Sequence, residues 1–229
     1  MAKKIMLNDK YGLTQAVLKG RKTMTRRVCK YDRPNETYDI VFPVFEPNDY
    51  DNDGNIVSPL NYAFGWKNDK GDFTGWNIPK YKVGEVVAIA QSYESLGMNP
   101  EIALNDKDGI GFYTKTKFAP GWKNKMFVRA DLMPHHIRIT NIKIQRLQEI
   151  SNEDCLKEGI IKTIHKSADG EWGRYYWHHG VTRSNCPYGQ YKEYSNPLEA
   201  FASLIDCVSG KGTFKSNPYV FVYEFELID

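Results

Sequence analysis

The rhythm of apolar and polar residues changes several times along this chain. TQAVLKG, with Asn8 or Asp9 placed to cap it, reads as a short helix ended by Gly20 at the C′ position. KVGEVVAIAQSY contains a turn at Gly84 and then VVAIA, an apolar run of strand length. In MFVRADLMPHHIRITNIKIQRLQEI, Ile137, Ile139, Ile142 and Ile144 mark one or two β-branched strands, and Asn141 interrupts the alternation as a bulge would. SNEDCLKEGI opens on a Ser151–Asp154 capping pattern and closes on Gly159, which predicts a short helix of about two to three turns. NPLEAFASLIDCVSG is the clearest helix. Asn196 caps it, Pro197 suits its first position, Glu199 favours the positive end of its dipole, and Leu198, Phe201, Ala202, Leu204 and Ile205 give it an apolar face. The closing YVFVYEFEL alternates Val220, Val222, Glu224 and Glu226 with Phe221, Tyr223, Phe225 and Leu227, a strand with at least one buried face.

Two stretches have no such rhythm. Residues 34–80 hold Pro34, Pro43, Pro47, Pro59 and Pro79 among Asn, Asp and Gly, with isolated aromatics, and read as an excursion with at most short hairpins. Residues 165–195 form a second excursion, dense in Trp172, Tyr175, Tyr176, Trp177, His178 and His179. Strands with helices at the start, middle and near the end predict one α+β, barrel-like domain over residues 1–229, with insertions at about 34–80 and 165–195.

Composition sharpens this only in places. With 229 residues, 41% of them apolar, the chain can bury one ordinary core or two small ones, and a mixed-sign charged fraction of 26% excludes global disorder. The aromatic fraction of 14% favours strands and concave binding surfaces over a helical bundle. A net charge of +3 is too small to point to nucleic acid, but its distribution is uneven. Residues 1–33 carry ten Lys and Arg side chains against Asp9 and Asp32 alone, a local field that attracts phosphates or other anions. Cys29, Cys155, Cys186 and Cys207 form no CxxC and read as free thiols in a reducing compartment. His178 and His179 lie near Cys186 without the paired spacing of a metal centre, so no metal and no cofactor is expected. No apolar run approaches the roughly 20 residues of a membrane span, and a cytoplasmic protein without membrane contact is expected.

The densest chemistry is GRKTMTRR at residues 20–27, where a glycine, four cations and two hydroxyls share one short segment. It resembles the GxKxxExR signature of the ASCH family, whose fold is a β-barrel related to the PUA RNA-binding domains. Gly20, Lys22 and Arg27 fall on the fixed positions, and Thr25 stands where many members carry glutamate. VLKGRKTMTRR, the strand after KVGEVV, MPHHIRITNIKIQRLQEIS with EDCLKEGI, and NPYVFVYEF look like one group of ASCH proteins common in bacterial and phage genomes. The resemblance implies a PUA-like, mixed or antiparallel β-barrel with short peripheral helices and the two loop-rich insertions.

It also implies a cleft that binds RNA or a modified nucleotide, with Gly20, Arg21, Lys22, Arg26 and Arg27 as the ligand set. A smaller bacterial branch offers an alternative, since its motif GRKTxTxR keeps the second threonine and its members hydrolyse N4-acylated cytidines with a Lys–Thr–Glu triad. By that resemblance Lys22, Thr25 and Glu158 are the catalytic candidates. A third reading makes the chain a phage-associated protein-interaction module. Amide hydrolysis needs a nucleophile, which Thr25 supplies, and a base, which Lys22 supplies if its pKa falls from about 10.4 toward about 7 to 8. Arg21, Arg26, Arg27 and burial push it down, and Glu158 opposes them.

Each residue also has a plainer reading. Lys22 serves as a solvated or phosphate-binding lysine, Thr25 satisfies a local backbone group, and Glu158 pairs at the surface with Lys157 or Lys162. Arg27 closes an ion pair across the barrel, and Trp172, Tyr175 and Trp177 pack within their insertion unless they form a base-stacking platform. In a regular strand, moreover, positions 22 and 25 face opposite ways, so a shared site requires a bend between them.

Overall fold

A computed structural model describes residues 3–43, 62–97, 120–166, 170–180 and 191–229. The terminal alternating stretch forms strand β9 (Tyr219–Leu227), in which Val220, Phe221, Val222, Tyr223 and Phe225 are all buried. Both faces are therefore covered, and the strand lies inside the sheet with a neighbour on each side. It pairs antiparallel with β2 (Met24–Val28) on one side and β6 (His136–Arg146) on the other. Beyond β6 lies β5 (Val86–Ile89), antiparallel, and beyond that β1 (Lys4–Ile5), parallel. The result is a mixed five-stranded sheet in the order β1-β5-β6-β9-β2. The isoleucine pattern forms one continuous strand. Its register shifts between Ile139 and Asn141, so Ile137, Ile139 and Ile142 all reach the core despite the broken alternation.

Among the described residues, four short α-helices accompany the sheet in an α+β arrangement: α1 (Leu13–Leu18), α2 (Asn152–Lys157), α3 (Pro197–Ser209) and α4 (Thr213–Ser216). Ser151 and Asn196 accept from the backbone N–H groups of Asp154 and Glu199, as their sequence patterns predict. The first helix needs a correction. Asn8 caps a separate 3-10 turn, Asp9–Tyr11, and α1 starts only after Gly12, whose φ of 65° interrupts the two. Gly20 does take the left-handed C′ position, at φ 68°.

The first excursion does more than loop. β3 (Tyr38–Val41) pairs antiparallel with β4 (Gly65–Asn68), and the segment between them falls mostly outside the described residues. Phe64 and Trp66 are almost wholly buried, with Phe64 5.6 Å from the Phe221 ring and Trp66 4.8 Å from that of Tyr219. The hairpin thus covers the odd-numbered face of β9 and belongs to the main core. Trp66→Ala is accordingly expected to cost about 3–5 kcal/mol in urea unfolding. A loss below about 1 kcal/mol, the range of surface substitutions, would show that the insertion only rests on the sheet.

The second excursion also contains a hairpin, β7 (Ile161–Lys166) against β8 (Trp172–Trp177). Just past it, His178 lies 3.1 Å from the Ser203 hydroxyl of α3, and the Tyr194 hydroxyl donates to the same oxygen at 2.6 Å. These bonds fasten the insertion to the helix. Among the described residues no helix is long and apolar enough to cross a membrane.

Candidate functional site

Strand β2 is an edge of the sheet, and the segment leading into it is held by two neighbours. After the Gly20 turn, the Arg21 and Lys22 amides both donate to the Ala16 carbonyl at 2.9 Å, and the Thr23 amide donates to Lys157 at the end of α2 at 3.0 Å. This second bond sets Lys22 against Glu158, which caps α2 at its C-terminus. Gly159 follows at φ 103° and turns the chain away.

The Lys22 ammonium donates to the Glu158 carboxylate Oε2 at 2.6 Å and to the Glu158 main-chain carbonyl at 2.8 Å. Arg26 donates through Nη1 to the other carboxylate oxygen at 2.9 Å and through Nη2 to Asp154 at 3.2 Å. Two cations therefore share one carboxylate, and Lys22, Arg26 and Glu158 are 2%, 5% and 4% exposed. This corrects two of the plainer readings. Lys22 is not a solvated lysine, and Glu158 does not pair at the surface with Lys157, which bonds to Asp154 at 3.3 Å instead.

Burial dominates the titration of Lys22. It pushes the ammonium below its ordinary 10.5; Glu158 pulls the other way by charge and hydrogen bond, and Arg27 and Arg26 add to the downward push. Glu158 does not win, because burial outweighs it. The geometry suits the neutral amine too. Lys22 makes two donor bonds among the described residues, which is the number of hydrogens a neutral amine carries, and its lone pair is left to accept a proton.

These groups line a cleft of about 450 Å³ together with Thr25 and Arg27, and α3 contributes Phe201, Leu204, Ile205 and Val208 as its apolar wall. The alternation problem is resolved by position in the sheet. Thr25 lies on the face of β2 opposite Arg26, but among the described residues β2 has no further strand beside it, so the cleft opens past its edge and takes side chains from both faces. Thr25 is 5% exposed, and its hydroxyl enters no hydrogen bond among the described residues.

The remaining motif residues divide. Arg27 Nη2 donates to the Met6 carbonyl at 2.6 Å, just beyond β1, so it joins the two edge strands through a main-chain oxygen and not through an ion pair. Gly20 and Arg21 are exposed and do not line the cleft. Gly20 acts through its conformation, by reversing the chain between α1 and β2. Sequence reasoning placed Arg26 in the ligand set and overlooked Asp154 as its partner. The available signal was that Asp154 and Glu158 stand four apart, one turn along the same helix, a spacing that presents two carboxylates to one cation.

In the second insertion, Tyr175 stacks on His165 at 4.3 Å and Trp177 on Tyr191 at 4.7 Å, so both pack locally, whereas Trp172 is 71% exposed. Both ring nitrogens of His178 are occupied, one by the His179 carbonyl and one by Ser203. Cys186 lies outside the described residues, among which no group of three or more His, Cys, Asp or Glu side chains is placed to hold a metal ion. No protein-family model matches the chain, and no curated protein or solved structure matches it significantly.

Proposed function

We propose that the chain is an ASCH-type, PUA-like protein that works as an amidohydrolase on a small N-acylated nucleobase, of which N4-acetylcytidine is the representative substrate. One observation carries this reading over simple RNA binding: Lys22 is buried against Glu158 in a cleft that also holds an unengaged threonine hydroxyl. A lysine kept only for phosphate contact gains from remaining hydrated and charged. Burial beside other cations instead favours the neutral base that hydrolysis needs.

In the proposed reaction, Thr25 Oγ attacks the acyl carbonyl carbon and its proton passes to Lys22 Nζ. The positive charge of Arg26 and Arg27 stabilises the tetrahedral oxyanion. The C–N bond then breaks, and Lys22 returns the proton to the leaving nitrogen. Water attacks the acyl-threonine ester, losing a proton to Lys22, which passes it to the departing Thr25 oxygen. The products are the free amine and the carboxylic acid. Glu158 orients Lys22, and the apolar wall of α3 faces the base and acyl group.

The test is chromatography for cytidine after incubation with N4-acetylcytidine at a series of pH values. The rate is expected to rise with pH as Lys22 loses its proton, with an apparent pKa below 10.5, and then to level off. A rate that falls across that range would exclude Lys22 as the base. Binding of cytidine or an oligonucleotide without turnover would return the cleft to the ligand-binding reading.

A further inference from the structure

On the other side of Arg27 lies a second cavity, of about 280 Å³. Met6, Arg27 and Val28 line both, so the two adjoin at the seam between β2 and the end of β1. Arg27, Lys30 and Lys80 contribute to its wall with Asn77, Tyr81 and Tyr223, and no Asp or Glu lines it. None of the three cations has an ion-pair partner among the described residues. No carboxylate in the cavity wall therefore offsets their mutual repulsion.

The wall behind them is firmly built. The Lys80 amide donates to the Tyr223 hydroxyl at 2.8 Å, the Tyr81 hydroxyl donates to the Lys4 carbonyl at 3.0 Å, and the two rings meet edge to face at 5.3 Å. Asn77 is committed to the main chain of Tyr31 through both ends of its amide. The ammonium groups of Lys30 and Lys80 sit over the rings of Tyr31 and Tyr81, at 4.7 and 5.4 Å. Lys80 is held below its usual range by partial burial first and by Arg27 and Lys3 next, as expected where positive charge lacks a counter-charge. Cys29, the cavity's thiol, is pushed up to about 12, chiefly by burial, and is no nucleophile at neutral pH.

We infer that this cavity is an anion subsite for the phosphate of a nucleotide, so that the adjoining cleft takes a nucleotide and not a free nucleoside. The second clause rests on the amidohydrolase reading, whereas the first stands on the cavity alone. A phosphate bridging Lys30, Lys80 and Arg27 supplies the missing negative charge and extends a ligand whose base lies in the first cleft.

The experiment is calorimetry of the whole protein with cytidine, cytidine 5′-monophosphate and inorganic phosphate, on the wild type and a Lys30→Gln/Lys80→Gln variant. The monophosphate is expected to bind roughly tenfold or more tighter than cytidine, with the ratio falling to near one in the variant. If neither cytidine nor its monophosphate binds, while phosphate binds the wild type and not the variant, the anion subsite stands and the amidohydrolase reading falls. A monophosphate that binds no tighter than cytidine, phosphate binding unchanged in the variant, or no phosphate binding at all overturns the subsite. A short cytidine-containing oligoribonucleotide then separates the sources. Tighter binding than the monophosphate assigns the subsite to an internal phosphodiester, and weaker binding assigns it to a terminal phosphate.

Discussion

Replacing Lys22 by methionine is expected to lower turnover of N4-acetylcytidine by about 10²–10⁴-fold, the usual contribution of a positioned general base. Methionine keeps much of the buried volume, and Arg26 still neutralises Glu158, so the fold should persist and the loss should fall on the reaction. Lys22→Arg should be as inactive, because a guanidinium keeps its proton throughout the accessible pH range. Thermal melting of both variants separates lost chemistry from lost structure. A folded Lys22→Met protein that retains a tenth of the wild-type rate would remove Lys22 from the proton path.

Glu158→Gln should chiefly affect stability. The carboxylate neutralises two buried cations, and its removal leaves Lys22 and Arg26 with only Asp154 nearby as a counter-charge. Breaking a buried pair from one side costs about 3–5 kcal/mol, and a shared carboxylate belongs at the upper end of that range. The double variant Lys22→Met/Glu158→Gln should be less destabilised than Glu158→Gln alone, since it removes one of the stranded cations. Urea unfolding of the three proteins measures this coupling. If the double variant shows the simple sum of the two losses, the pair is not energetically linked and the geometric account fails. Any activity remaining in Glu158→Gln should rise at a lower pH than in the wild type, because the influence that raises the Lys22 pKa has gone.

Local signals were legible because they concern residues close together in the chain. Ser151 and Asn196 cap the helices they precede, Gly20 turns where a C′ glycine should, and Asn141 marks the irregularity in β6. What escaped was tertiary. Arg26 and Glu158 are 132 positions apart, and no spacing rule joins a strand arginine to a carboxylate that distant. Phe64 and Trp66 stood as isolated aromatics among Pro, Asn and Gly, without the period that marks a core element, yet they pack on Phe221 and Tyr219. The opposed facing of residues 22 and 25 looked like an obstacle for a related reason. Alternation assigns faces, but it does not say that β2 would be an edge, where both faces reach one cleft.

The edge position of β2 also governs when the cleft can exist. Among the described residues, the strand bearing Thr25, Arg26 and Arg27 has one ladder partner, β9, and the paired residues Met24 and Glu224 are 200 positions apart. Until Tyr219–Leu227 is available, the motif has no sheet to join, although α1 and α2 are long since complete. Pairing across so long a separation is slow, because the loop must close before any contact rewards it. The nascent protein therefore carries the cations of this motif without their sheet until β9 has been made, and the burial of Lys22 in the cleft waits on that pairing.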